Sequence, residues 1–90
     1  MKHAVLVRVK LDSKSDLAHR RAILNDYVIP EVKALPGFHS AMWLNDGDGT
    51  GICIVVFDSR ENAESSLGYL TAPGGPPVIS CAIYVIEAEA

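Results

Sequence analysis

The stretch that decides the fold is residues 35–59, LPGFHSAMWLNDGDGTGICIVVFDS. Two apolar runs, residues 38–44 and 52–57, flank the tetrapeptide DGDG at residues 46–49. Glycine adopts positive φ without steric cost and aspartate tolerates tight turns, so this tetrapeptide should reverse the chain. The stretch therefore predicts a β-hairpin.

If Asp46 and Gly49 close the turn, the two runs pair in a single register. That register places Trp43 opposite Ile52, Ala41 opposite Ile54 and His39 opposite Val56. It leaves the other face of the hairpin to Phe38, Ser40, Met42, Cys53, Val55 and Phe57. Both faces are mostly apolar, whereas an antiparallel sheet usually keeps one face in water, so each face needs a cover.

A strand and a helix are predicted before the hairpin. The odd positions of residues 3–11 form one apolar row, Val5, Val7, Val9 and Leu11. Ser13 and Asp16 have the spacing of a capping box, so a helix should begin there and run to about Ala34. Pro30 lies inside this helix, where it either kinks the helix or opens a second, short one.

A second helix and a last strand are predicted after the hairpin. Asp58 and Ser59 offer capping oxygens for a helix over residues 60–72. The segment PGGPP at residues 73–77 reads as a connector. A strand from residue 78 to about residue 87 follows, apolar on both faces. The element order is therefore β-α-β-β-α-β.

Length and charge exclude several classes of protein. Residues 1–90 form one domain, and a net charge of −3 argues against nucleic acid as a partner. No apolar run reaches the roughly 20 residues needed to cross a bilayer, and no signal peptide opens the chain.

Cys53 and Cys81 should lie roughly 9–10 Å apart on two strands separated by a third, beyond the reach of a disulfide. We therefore expect a cytoplasmic protein with two buried thiols.

With right-handed crossovers, this element order gives a ferredoxin-like α+β fold. Its four-stranded antiparallel sheet has the spatial order 4-1-3-2, with both helices on one face. Large apolar groups on the other face would gain roughly 10 kcal/mol or more, gross, if fully buried. Because two-fold dimers dominate among homo-oligomers, a second copy is the simplest cover. We therefore expect a dimeric α+β barrel with the interface residues Leu6, Ala41, Trp43, Ile52, Ile54 and Val56.

Three short motifs resemble the antibiotic biosynthesis monooxygenase-like domain. They are PGF at residues 36–38, FDS at residues 57–59, and Ala63 in the helix that follows. The resemblance covers the whole chain in element order, and it implies a homodimeric α+β barrel with a small-molecule pocket between helices and sheet. Some members of that family oxidise aromatic polyketides without metal or flavin, others degrade haem, and many have no assigned activity.

The haem-degrading branch of that family can be tested residue by residue. Its enzymes place a haem-binding histidine in the second helix, an asparagine in the first strand and a tryptophan at the end of the third. Here the second helix has no histidine, Val7 stands at the aligned asparagine position, and the third strand ends in Phe57. We therefore expect no haem and no other cofactor.

The candidate ligand-binding residues surround the pocket expected between helices and sheet. Tyr27 and Ser40 are the polar groups placed nearest to it, and Tyr27 and His39 are the candidates for catalysis. The complete ligand-binding set is Tyr27, Ser40, Met42, Val55, Phe57 and Tyr84. Trp43 is interpreted as interface packing rather than as a substrate platform.

No metal site is expected. The three histidines lack ligand spacing, and two mid-strand cysteines make no zinc set. The segment DGDGT at residues 46–50 begins like a calcium loop, but Phe57 stands where a bidentate glutamate is required. A hairpin turn explains the segment fully.

Three hypotheses for the function stay open. The protein binds a hydrophobic, aromatic small molecule and oxidises it as a cofactor-independent monooxygenase. Alternatively, it is a non-catalytic ligand-binding or stress-related barrel. A third hypothesis is a structural module that adds another chain to its barrel or sheet edge. The sequence does not distinguish them, because no acid–base pair stands out.

Overall fold

The computed structural model describes residues 1–11 and 17–90. Its sheet consists of β1 (His3–Lys10), β2 (Phe38–Asn45), β3 (Thr50–Phe57) and β4 (Val78–Val85). Its helical segments are α1 (Leu17–Ile23), a π-helical turn (Leu24–Val28), α2 (Ile29–Lys33) and α3 (Arg60–Leu70). The strands are antiparallel in the order β2-β3-β1-β4. This confirms the predicted ferredoxin-like α+β topology.

The helical segments before the hairpin continue through Pro30 without a break. Ile29 N–H donates to the carbonyl of Leu24, five residues earlier, so the turn before the proline is one residue wider than an α-helical turn. Proline has no N–H, and its ring crowds the carbonyl four residues earlier, here that of Asp26. The widened turn is therefore the local response to Pro30. The predicted capping box at Ser13 and Asp16 lies outside the described residues.

Ser59 caps α3 as predicted. Its backbone is extended, and its side-chain oxygen accepts the N–H of Asn62 at 3.1 Å. Asp58 contributes differently from the prediction, because its Oδ1 accepts the side-chain amide of Asn62 at 2.8 Å. The helix therefore begins at Arg60 with one orphan N–H satisfied by Ser59.

The core lies between the sheet and the helices. Its fully buried members are Val5, Val7, Val55 and Phe57 from β1 and β3, Val32 from α2 and Ala63 from α3. α1 buries no residue. We call the side of the sheet that meets these helices the helix-covered face, and the other side the open face.

The register of the hairpin differs from the prediction by one residue. Ala41 pairs with Val55, and Trp43 pairs with Cys53. The reason lies in the turn, where Asp46 N–H donates to Thr50 O at 3.0 Å and three residues span the reversal. A one-residue shift moves every side chain of a strand to the other face. Ala41 and Trp43 therefore lie on the helix-covered face, and their prediction on the opposite face was wrong.

A bulge at His39 confines the shift to one part of β2. Phe38 pairs with Phe57 and Ser40 with Val56, so His39 is the extra residue between them. Phe38 accordingly keeps its predicted place and packs against the core. Ser40 and Met42, by contrast, lie on the open face rather than under the helices as predicted, because their partners Val56 and Ile54 lie there.

The open face is apolar across its middle. The described helices pack on the opposite side, against the core. Met42, Leu44 and Tyr84 are among its exposed side chains, with Met42 53% and Tyr84 56% exposed. Three rows cross the four strands: Ser40–Val56–Ala4–Tyr84, Met42–Ile54–Leu6–Ala82 and Leu44–Ile52–Arg8–Ser80. Within residues 1–11 and 17–90, no helix is long and apolar enough to cross a membrane.

Candidate functional site

The structure does not bring the predicted ligand-binding residues together. Tyr27 lies on the π-helical turn with 68% of its surface exposed, whereas Ser40 lies on the open face. Val55 and Phe57 are completely buried in the core, so they line no cavity wall. Met42 and Tyr84 belong to the open face, along with Ser40.

His39 and Ser40 form the one contact between predicted polar candidates. His39 Nδ1 lies 3.2 Å from Ser40 Oγ, at the bulge of β2, and both residues are exposed. In the described part of the chain no carboxylate hydrogen-bonds the His39 ring. An exposed histidine without an orienting partner is a weak base for activating a hydroxyl. The geometry therefore gives this pair no catalytic arrangement.

A different group of side chains forms a candidate site on the helix-covered face. Trp43 pairs with Cys53, Cys53 pairs with Val7, and Val7 pairs with Cys81. Cross-strand partners share a face, so these four residues form one row across β2, β3, β1 and β4. We call it the Trp43 row.

The helices cover this face unevenly. In the neighbouring row, Val5 and Val55 are completely buried, whereas their outer partners Ala41 and Ile83 are half-buried. In the Trp43 row, Val7 is completely buried, Trp43 and Cys53 are half-buried and Cys81 is exposed. The helices therefore cover the Trp43 row less completely than the row of Val5 and Val55.

The two thiols of the row are protonated at neutral pH. Burial and, to a smaller extent, the charge of a Cys81 thiolate together raise the pKa of Cys53 to about 11. Burial also raises the pKa of Cys81. Because the thiolate is the nucleophile and the metal ligand, both side chains act as apolar walls. The prediction that a strand separates them is confirmed, since both pair with Val7, whereas the prediction that both are buried is wrong for Cys81, which is exposed on β4.

Leu11 lies over the next row on the same face. Gly51 is buried between Asn45 and Val9, and a methyl group placed on it would lie 3.0 Å from Leu11 Cδ1. Leu11 N–H donates to Gly49 O at 2.8 Å, which fixes the leucine backbone against the hairpin turn. The isobutyl group of Leu11 therefore fills the space that the missing side chain of Gly51 leaves.

Leu11 also lines an open groove. The groove lies at the hairpin end of the sheet and is lined by Lys10, Leu11, residues 47–50 and Ile79.

Comparison with protein-family models finds no match, and neither does comparison with curated proteins. Solved structures do match. Rv0793 of Mycobacterium tuberculosis superposes with a TM-score of 0.67 at 20% identity, over 100% of this chain and 99% of that one. A putative antibiotic biosynthesis monooxygenase of Chloroflexus aurantiacus superposes with a TM-score of 0.67 at 14% identity, over 100% and 97%. The chain has the antibiotic biosynthesis monooxygenase-like fold.

A third structure with this fold carries a ligand. It is a monooxygenase of Streptomyces coelicolor in complex with nanaomycin D, with a TM-score of 0.62 at 17% identity over 98% of this chain and 89% of that one. At these identities the likeness establishes the fold of the present chain. The chemistry has to be argued from its own residues.

The carboxylate of Asp46 is used within the hairpin turn. Asp46 Oδ1 accepts the N–H groups of Asp48 at 2.7 Å and of Thr50 at 3.0 Å. These backbone hydrogen bonds lower the pKa of the Asp46 carboxyl. The carboxylate is thus engaged by its own turn. Within residues 1–11 and 17–90, no group of three or more histidine, cysteine, aspartate or glutamate side chains is placed to hold a metal ion.

One ionisable pair of this fold is not predicted by the sequence. The hydroxyl of Tyr69 on α3 donates a short hydrogen bond to Glu31 Oε2 on α2. Burial, the hydrogen bond to Glu31 and the charge of Glu31 together raise the pKa of Tyr69 to about 12. The two residues are 38 positions apart, so no local pattern could have paired them. The pair joins the two helices that cover the core.

Proposed function

We propose that the protein is a homodimer that binds a hydrophobic, aromatic small molecule between helices and sheet, and oxidises it with molecular oxygen without a cofactor. The observation that carries the proposal is the position of Trp43. It stands half-buried on the helix-covered face, in the row that the helices cover less completely. Indole offers a flat apolar surface on which a planar ring system stacks. The two cysteines of the protein, Cys53 and Cys81, are free thiols, which suit a reducing compartment. We therefore place this function in the cytoplasm.

The fold supports the oxidative part of the proposal. One structure that shares it is a putative antibiotic biosynthesis monooxygenase, and another is a monooxygenase with nanaomycin D. In the proposed reaction, oxygen is the oxidant and the substrate supplies the electrons. An activated CH₂ group beside a phenol becomes C=O, and the second oxygen atom leaves as water.

The Trp43 row supplies no base for this reaction. The thiols of Cys53 and Cys81 have raised pKa values, and indole does not take up a proton at neutral pH. The substrate must therefore lose its proton to water without a base from the protein. The apolar walls then hold the resulting anion next to dissolved oxygen. The rate of oxygen uptake should consequently rise with pH along the ionisation of the substrate.

The open face supports the dimeric part of the proposal. A compact monomer of 9.7 kDa exposes about 5,100 Å². This chain exposes 6069 Å². The excess is close to the roughly 800 Å² that each partner buries in an interface of standard size. An apolar sheet face without a cover accounts for such an excess, and an identical sheet is its simplest complement.

The experiment combines binding and turnover. Purified protein is mixed with 1,8-dihydroxyanthrone, a polycyclic phenol with an activated CH₂ group, and Trp43 fluorescence and oxygen uptake are both recorded. We expect quenching of Trp43 and oxygen uptake above the uncatalysed rate. Cys53→Met, which enlarges a wall of the row, should weaken both. Ser65→Met places the same side chain on an exposed position of α3 and is the control.

The second candidate function is binding without turnover. It is favoured by one observation, that Tyr27, His39 and Ser40 do not converge on the Trp43 row. Quenching of Trp43 fluorescence, with no oxygen uptake above the uncatalysed rate at any pH, would support binding without turnover. Absence of both signals would overturn both functions.

A further inference from the structure

We infer that Asp48 is a modification site, at which the backbone isomerises spontaneously to isoaspartate through a succinimide formed with Gly49. The hairpin turn contains the dipeptide Asp-Gly twice, at residues 46–47 and 48–49. Glycine has no side chain to hinder the attack of its nitrogen on the preceding carboxyl group, so both dipeptides have the required chemistry. The turn protects the first dipeptide and leaves the second one open. The inference is independent of the proposed function.

The reaction needs no reagent other than water. The backbone nitrogen of Gly49 loses its proton and attacks Cγ of Asp48, a C–N bond forms, and one carboxyl oxygen leaves as water. Water then adds to either carbonyl group of the cyclic imide, which returns aspartate or leaves isoaspartate. No group is oxidised or reduced, and the mass of the chain is unchanged. The step requires a free nitrogen and a neutral carboxyl group, because a carboxylate has no suitable leaving group.

The first dipeptide is protected at both reacting groups. Gly47 N–H donates to Asn45 Oδ1 at 2.8 Å, so its nitrogen is engaged. Asp46 Oδ1 accepts the N–H groups of Asp48 at 2.7 Å and of Thr50 at 3.0 Å. These backbone hydrogen bonds lower the pKa of the Asp46 carboxyl and favour the unreactive carboxylate. Isomerisation at residue 46 must therefore break hydrogen bonds first.

The second dipeptide lacks this protection. Among the residues that the structure describes, no group hydrogen-bonds or ion-pairs with the Asp48 carboxylate, and none accepts the N–H of Gly49. Asp48 is also exposed, so water reaches the succinimide. Each hydrogen bond to a charged group that must break slows a reaction by about tenfold or more. Residue 48 should therefore isomerise at least about tenfold faster than residue 46.

Isoaspartate at residue 48 would disturb the junction between the turn and β1. The main chain would then run through Cβ of residue 48, which makes it longer by one methylene group. Gly49 O accepts Leu11 N–H at 2.8 Å, and this hydrogen bond ties the end of β1 to the turn. The amide of Leu11 should therefore exchange with deuterium faster in the modified protein.

The test measures isoaspartate at each residue of the folded protein. Wild type is incubated for several weeks at about pH 5, where a fraction of exposed aspartate is protonated. Trypsin then releases residues 34–60 as one peptide, and electron-transfer fragmentation locates isoaspartate within it. We expect an excess at residue 48 over residue 46 of about tenfold or more. A synthetic peptide of residues 45–51 lacks the folded turn, so its two aspartates should react at similar rates.

Two variants separate the chemistry from the geometry. Asp48→Glu has a longer side chain that closes the ring less readily, so isomerisation at residue 48 should be lost and Leu11 exchange should stay constant during incubation. Asp48→Asn forms the same succinimide by losing ammonia and should convert faster than wild type at neutral pH. Equal rates at residues 46 and 48 of folded wild type would refute the protection of Asp46. If the peptide reacts while folded wild type and Asp48→Asn remain intact, Asp48 is not a modification site.

Discussion

Gly37 has a φ of +74° and lies against the first turn of α3. A methyl group on it would come within 2.3 Å of both Asn62 Nδ2 and Asp58 Oδ1. These two atoms are hydrogen-bonded to each other at 2.8 Å, so neither can move aside without losing its partner. Asp58 N–H also donates to Gly37 O at 2.9 Å, which holds the backbones together. At this position the left-handed conformation and the close approach both require glycine.

Gly37→Ala should therefore destabilise the protein more than backbone strain alone explains. Gly47 offers a matched control, since its φ is +76° and nothing lies within 4 Å of an added methyl group. Gly47→Ala should cost about 1–2 kcal/mol for the left-handed conformation. Gly37→Ala should cost clearly more, because it also breaks the contact between Asp58 and Asn62. Urea unfolding measures the loss in free energy of unfolding for both variants. Equal losses would show that the first turn of α3 moves aside without cost when the methyl group is added to Gly37.

Asp46 shows how a side chain sets the hairpin turn. Its carboxylate accepts two backbone N–H groups, which lowers its pKa below the model-compound value of 3.8. A depressed pKa means that the stabilisation is present above pH 3.8 and is lost as pH falls through the folded-state value. Asp46→Ala should therefore melt lower than wild type at pH 7, with a gap that narrows below about pH 4. Asp46→Asn keeps an acceptor oxygen but has no carboxyl group to titrate. The difference in melting temperature between Asp46→Asn and wild type should therefore not follow the pH dependence expected for Asp46→Ala.

At the scale of elements, the contact between α2 and α3 depends on Tyr69 and Glu31. The pKa of Tyr69 is raised from 10.0 to about 12, so its neutral form is the one the fold stabilises. That stabilisation is complete below pH 10 and is lost as pH rises toward 12. Tyr69→Phe should cost about 1 kcal/mol or less at pH 8, as expected for one partly exposed hydrogen bond. Denaturant unfolding at several pH values should show that the difference in free energy of unfolding between wild type and Tyr69→Phe disappears between pH 10 and 12. A difference that stays constant over this range would contradict the role of the hydrogen bond.

The elements and their order could be predicted because each rests on local chemistry. Glycine and aspartate mark the hairpin, Ser59 caps α3, and right-handed crossovers then leave one strand order. The register could not be predicted, because it depends on which side chains take up the N–H groups of the turn. Asn45 Oδ1 accepts Gly47 N–H and Asp46 accepts two more, which lengthens the loop by one residue.

The candidate site was mispredicted for the same reason. The one-residue shift brought Trp43 under the helices and moved Ser40 to the open face. The bulge at His39, which absorbs the shift, has no marker in the sequence. The pair of Tyr69 and Glu31 arises from the packing of two helices, and helix–helix contacts of this kind do not follow from spacing along the chain. Local chemistry therefore predicted the architecture, and long-range pairing determined the site.

For the whole molecule, the decisive prediction concerns the open face. Its middle row, Met42–Ile54–Leu6–Ala82, carries no polar group. Ile54→Glu places one carboxylate there in each copy. An unpaired charge buried in an apolar interface costs on the order of 3–5 kcal/mol, and each 1.4 kcal/mol is tenfold in affinity. The dimer dissociation constant should therefore rise by more than about a hundredfold.

Sedimentation at micromolar protein measures this directly. Wild type should sediment at twice the chain mass of 9.7 kDa, and Ile54→Glu at the chain mass. Ser65→Glu adds the same charge on the exposed side of α3 and should remain dimeric. Trp43 supplies an internal check, because it lies on the helix-covered face and its emission should not shift when the sheets separate. A wild type that sediments as a folded single chain would mean that water alone covers the open face, and the barrel would then have to be abandoned while the site along Trp43 could still stand.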